Sequence, residues 1–123
     1  MHIPEGYQTV MPYLLLKDTN GFLDFTVKVF NAMVKEKHMM DNGQIMHGEV
    51  VIGGSCIMFG PAGDQLPAQP AGLFIYVENA DVGYQTALDH GATTVMELSN
   101  QSYGRTCGVL DPFGNTWWIT SVQ

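Results

Sequence analysis

The sequence predicts an α+β fold in which two tandem βαβββ modules form a curved mixed sheet with a concave cavity. Three observations carry that expectation. The chain resembles itself at an offset of 60, with Gly108 on Gly48, Gly114 on Gly54, Ala92 on Ala32 and Trp118 on Met58. Strand-like and helix-like runs follow in the same order in each half, and a stretch rich in Pro, Gly and Ala separates them. Self-similarity at a fixed period is the mark of a duplicated unit.

The first module is expected over residues 9–60. "VMPYLLL" is a short β-like run, and "DTNGFLDFTVKVFNAM" offers Asp18, Thr19 or Asn20 as a helix cap before an apolar stripe on Leu23, Val27 and Phe30. "VKEKHMM" and "QIMHGEVVI" then flank Asp41-Asn42-Gly43, a hairpin signal because Asn and Gly tolerate positive φ. Gly53-Gly54 turns the chain into "SCIMF". Residues 61–71 read as a linker.

The second module, residues 72–122, repeats the order within what is expected to be one domain over 1–123. It opens with "LFIYV", and a helix follows over "NADVGYQTALDH" with Ala80, Tyr84, Ala87 and Leu88 on one face and Gly91 as a left-handed stop. "TTVMELS" and "RTCGVL" come next, then a turn at Pro112 to Gly114, then "TWWIT". One helix per sheet covers one sheet face, so the other face is the natural place for a ligand.

Alternation along the strands names what that free face carries. If Gly53-Gly54 is a two-residue turn, Glu49 pairs with Met58 and Val51 with Cys56, which puts His47, Glu49, Val51, Cys56 and Met58 on one face. Carried over by 60, the register groups Arg105, Cys107 and Val109 with Thr116 and Trp118. Trp117 and Ile57 then point beneath the helices. A slip of one residue would exchange the faces.

Charge narrows the partners. Twelve acidic against five basic side chains give a net charge of −7, with no basic cluster beyond "KEK", so nucleic acid is excluded as a partner. "MHIPEGYQTV" lacks a basic region followed by an apolar run, and no stretch approaches a membrane span; the expectation is a cytoplasmic protein without a membrane partner. Cys56 and Cys107 are expected to be reduced, buried thiols.

With the repeat, the hairpin and "YGRTCGVLDPFGNTWWI" in view, the chain resembles the vicinal oxygen chelate superfamily of glyoxalases, extradiol dioxygenases, fosfomycin-modifying enzymes and bleomycin resistance proteins. "MPYLLLKD", "HGEVVIGGSCIMF" and "DPFGN" resemble its small glyoxalase-like branch. The resemblance implies a homodimer and, in its metal-dependent members, a divalent ion held by His or Glu from the first and last strands of each module. The matching positions here are Met11 (Pro12 with a shift of one), Gly72, Met58 and Trp118. None offers an imidazole or carboxylate, so no metal and no cofactor are expected.

Three readings follow. The first is metal-independent binding of a small-molecule ligand in an aromatic and methionine-lined cavity, by Met11, Tyr13, His47, Glu49, Met58, Arg105 and Trp118. The second is a metal-dependent lyase, isomerase or dioxygenase with the divalent metal displaced toward His47 and Glu49. The third is a metal-free enzyme with Glu49 or His47 as the catalytic general base. Residue types alone leave open whether any reaction is catalysed.

Overall fold

The computed structural model describes residues 1–122. Two compact units divide the chain, 1–70 and 71–123. Each holds a four-stranded mixed sheet and one helix, the α+β arrangement expected.

In the first unit, β1 (Tyr13–Leu16) precedes α1 (Thr19–Phe30), β2 (Met33–Met39), β3 (Ile45–Ile52) and β4 (Ser55–Pro61). The sheet order is β1-β4-β3-β2, with β1 parallel to β4 and the other pairs antiparallel. Asp18 caps α1 by accepting from the Gly21 amide at 2.8 Å, and Asn31 ends the helix in the left-handed conformation. The buried helix face is Phe22, Phe25, Thr26 and Phe30; of the stripe expected from sequence Phe30 is buried, whereas Leu23 and Val27 are only half-buried. The spacing i, i+3, i+4, i+8 turns the bulkiest rings to the sheet, where Phe22 meets Phe59 edge-on at 5.0 Å. Leu14, Leu16, Val50, Ile57 and Phe59 complete this core.

The second unit repeats the order with β5 (Gly72–Tyr76), α2 (Ala80–Asp89), β6 (Thr93–Gln101), β7 (Gly104–Leu110) and β8 (Thr116–Ser121), in the sheet order β5-β8-β7-β6. Asn79 caps α2, and Gly91 follows the helix at φ +97°, as its stop signal requires. Trp117 is fully buried on the helix side, as expected; Cys107 and Val109, which the sequence register put on the free face with Trp118, are buried there with it, beside Ile119. Among the described residues no helix is long and apolar enough to cross a membrane.

Asp111 organises the turn into β8. Its carboxylate accepts from the Phe113 and Asn115 amides, from Asn115 Nδ2 and from Trp117 Nε1, at 2.8 to 2.9 Å. Asn115 Oδ1 accepts from the Ala71 amide at 2.9 Å and so ties the turn to the start of β5. Every polar atom of a buried aspartate is thereby answered.

Candidate functional site

Each sheet has one face without a helix, and the two faces differ in chemistry. On the first, the hairpin register is the one expected: Glu49 pairs with Met58, Val51 with Cys56 and Ile52 with Ser55. Gly53 and Gly54 make the turn at φ +53° and +89°. Tyr13 lies beside Met58 across the parallel pair. Tyr13, His47, Glu49 and Met58 therefore share a face.

A hydrogen-bonded chain runs through that group. Tyr7 Oη donates to Glu49 Oε1 at 2.5 Å, Glu49 Oε2 lies 2.7 Å from His47 Nε2, and His47 Nδ1 lies 3.1 Å from Tyr13 Oη. Glu49 is only 4% exposed. Burial alone would raise its pKa, but the bonds from Tyr7 and His47 outweigh burial and hold the carboxyl below its usual range. The same contact pushes the Tyr7 phenol up to about 12, because an anion beside Glu49 is repelled. Both carboxylate oxygens and both imidazole nitrogens are engaged, so neither side chain presents a free basic atom in this conformation.

Tyr7 belongs to a segment that the sequence pattern left without a role. Its ring lies under Lys35 Nζ, 4.7 Å from the centroid. Gln8 next to it bonds the Cys56 backbone twice, donating from Nε2 to the carbonyl at 2.8 Å and accepting from the amide at 3.3 Å. Met11 precedes β1 instead of lying in it, and its Sδ accepts from the Gln8 amide at 3.4 Å.

The helix-free face of the second sheet is aromatic. Phe74 pairs with Trp118 and Tyr76 with Thr120 across the parallel β5–β8 ladder, so Phe74, Tyr76 and Trp118 share a face. Phe74 is 50% exposed, Tyr76 68% and Tyr103 53%. Phe74 meets Tyr76 edge-on at 5.3 Å and Tyr103 at 6.2 Å. The alternation in "LFIYV", with Leu73 and Ile75 turned the other way, is the sequence signal that marks Phe74 and Tyr76.

Arg105 is a correction. It lies with Cys107 and Val109 on the helix side, away from Trp118, and its guanidinium grips Asp81 of α2 with Nε on Oδ1 and Nη2 on Oδ2 at 3.0 Å. That hydrogen bond from Arg105 lowers the Asp81 pKa, and its reciprocal raises that of Arg105. The cause is loop parity. Two residues join β3 to β4, but five, 111–115, join β7 to β8. The offset is therefore 60 along β8 but 59 along β7, and Trp118 pairs with Gly108 where Met58 pairs with Glu49. An odd difference in loop length exchanges the faces of one strand.

For a divalent ion the donors do not fit. Met11, Pro12, Gly72, Met58 and Trp118 carry no imidazole or carboxylate, and on the first sheet His47 pairs with Glu49 at 2.7 Å and His38 with Glu36 at 3.4 Å. Among the described residues no three His, Cys, Asp or Glu side chains are grouped to hold a metal.

Comparison with known proteins places the chain. The family model described as Glyoxalase/Bleomycin resistance protein/Dioxygenase superfamily matches residues 9–119. An uncharacterized protein of Mycobacterium bovis is 30% identical over 118 residues, covering 86% of this chain and 78% of that one. A counterpart in Mycobacterium tuberculosis is 30% identical, with 86% and 69% covered. Among solved structures, TioX from Micromonospora sp. ML1 superimposes with a TM-score of 0.76 at 21% identity, over 93% of this chain and 98% of that one. TnmS3, an antibiotic binding protein from Streptomyces sp. CB03234, gives a TM-score of 0.73 at 17% identity, over 100% and 99%. At these identities the two structures share the fold.

Proposed function

We propose that this chain, which belongs to the Glyoxalase/Bleomycin resistance protein/Dioxygenase superfamily, binds an aromatic small molecule without a metal ion. The observation that carries this reading is the exposed cluster of Phe74, Tyr76 and Tyr103 beside Trp118 on a sheet face that no helix covers. Apolar surface of this kind is costly to leave in water and typical of recognition sites. A planar π-system stacked on these rings would gain contact area at little cost in side-chain entropy. The net charge of −7 favours a cationic ligand through long-range attraction. That TnmS3 is an antibiotic binding protein supports the same class of function, and the replaced metal positions support a metal-free site.

Equilibrium dialysis with proflavin, a planar cation, tests the reading. Binding by the wild-type chain should weaken about ten-fold in Trp118→Ala, in line with the loss of one stacked ring. Equal binding by wild type and Trp118→Ala would overturn the aromatic site. One equivalent of Zn, Ni, Mn or Fe per chain, in protein purified without chelator, would overturn its metal independence. The homodimer belongs to the same proposal, and light scattering that returns a monomer mass would remove it.

A further inference from the structure

The first sheet's helix-free face is covered by the chain's own N-terminal segment, and that cover is lightly held. From Met1 to Val10 only Ile3, Tyr7 and Gln8 are half-buried; the other residues are exposed. Beneath Tyr7 and Gln8, Glu49 and Cys56 are almost wholly shielded from solvent. Beyond Val10 the chain is fixed again, where the Pro12 carbonyl accepts from the Met58 amide at 2.9 Å. The exposed pair Thr9-Val10 thus separates a segment held by a few polar contacts from the anchored strand. Segments that bury little apolar surface open at a fraction of the global unfolding free energy.

The occupant under the cover is chemically specific. A phenol ring sits with its hydroxyl on a buried carboxylate oxygen and an ammonium over its face, while His47 fixes the second oxygen. Nothing in that arrangement depends on the ring being joined to the chain. We propose that residues 1–10 are a displaceable cover latched by Tyr7 on Glu49, and that the site beneath takes the phenolic hydroxyl of an aromatic ligand in place of Tyr7. This goes beyond the aromatic site proposed on the second sheet, because it assigns a separate ligand group to the helix-free face of the first. Opening also frees Glu49 Oε1, the acceptor that the closed form consumes.

Cys56 reports opening, because its thiol lies on the covered face. Cys107 serves as the internal control, since it is buried on the helix side of the other sheet. The full-length chain and its Tyr7→Ala variant are treated with iodoacetamide, and alkylation of each cysteine is followed by peptide mass spectrometry. Loss of the latch should speed alkylation of Cys56 about ten-fold or more while Cys107 is unchanged, since one hydrogen bond to a charged group is removed. Millimolar p-cresol should slow Cys56 in Tyr7→Ala back toward the wild-type rate, and toluene, which lacks the hydroxyl, should not.

An unchanged Cys56 rate in Tyr7→Ala overturns the cover, as does acceleration of both cysteines together, which signals a loosened fold. Equal protection by p-cresol and toluene, or protection by neither, overturns recognition of the phenol. Proflavin binding to the Tyr7→Ala chain reports the general reading separately: its loss in Trp118→Ala can stand or fall whatever Cys56 does.

Discussion

The two helix-free faces are built on the same strand order, yet one is a closed polar chain and the other an open aromatic surface. On the first, Glu49 sits opposite Met58 and is sealed by Tyr7. On the second, the equivalent place is Gly108, opposite Trp118, with the indole lying against the glycine where a side chain would otherwise stand. Removing a side chain from β7 makes room for a large ring on β8. The first face offers a specific acceptor to a hydrogen-bond donor, whereas the second offers contact area to any flat apolar group.

The largest expected effect lies in the loop that sets the two faces apart. Asp111→Ala leaves the Phe113 and Asn115 amides, Asn115 Nδ2 and the Trp117 indole N–H without their acceptor, at a position that is 3% exposed. Orphaned buried donors cost about 1–3 kcal/mol each before relaxation, so a loss of about 3–5 kcal/mol in urea unfolding is expected. The glycine turn of the first hairpin has no such hub, and Gly53→Ala, which only strains a residue at φ +53°, should cost about 1 kcal/mol. Equal costs in the two loops would break the contrast.

A smaller difference separates the two glycines that lie beneath rings. A methyl group at Gly48 would collide with Phe59, which is fully buried against Phe22, so neither ring can yield without disturbing the core. Gly48→Ala should cost about 2–3 kcal/mol. Trp118 is only partly buried, and in Gly108→Ala its indole can swing toward solvent, which lowers the cost to about 1 kcal/mol. Proflavin binding should weaken in Gly108→Ala and stay unchanged in Gly48→Ala. The opposite pattern would place the ligand surface on the wrong sheet.

Much of this was legible in the sequence, and the boundary of what was legible is physical. Turn chemistry and alternation are local, so the Gly53-Gly54 hairpin and the shared face of His47, Glu49 and Met58 follow from a few residues. The burial of Trp117 and the opposite direction of Trp118 follow likewise. The assignment of Arg105 failed because it assumed that both hairpins have loops of the same parity, which "DPFGN" does not declare until Asp111 is seen to fold it. The role of Tyr7 was invisible for another reason. Its contact with Glu49 spans 42 positions and obeys no period, so only the folded chain brings the two together.

The smallest effect is the one that most directly checks how the polar face is held. In the folded protein Tyr7 keeps its proton to about 12, against an ordinary value of 10.0. A group whose pKa is raised by folding contributes its full stabilisation below the unfolded value and loses it as pH rises through the folded one. The Tyr7 contribution is therefore complete below pH 10 and fades toward pH 12. Glu49 has the opposite sign: its lowered pKa gives a contribution present above the usual carboxylate range and lost as pH falls through the folded value. Ultraviolet titration of the phenols should show one late tyrosine in the wild-type chain, absent from Tyr7→Phe. In Glu49→Gln, where the carboxylate charge is gone, that tyrosine should return toward its ordinary range. A late tyrosine that persists in Tyr7→Phe would mean that another phenol is the one held, and the latch would have to be sought elsewhere on the face.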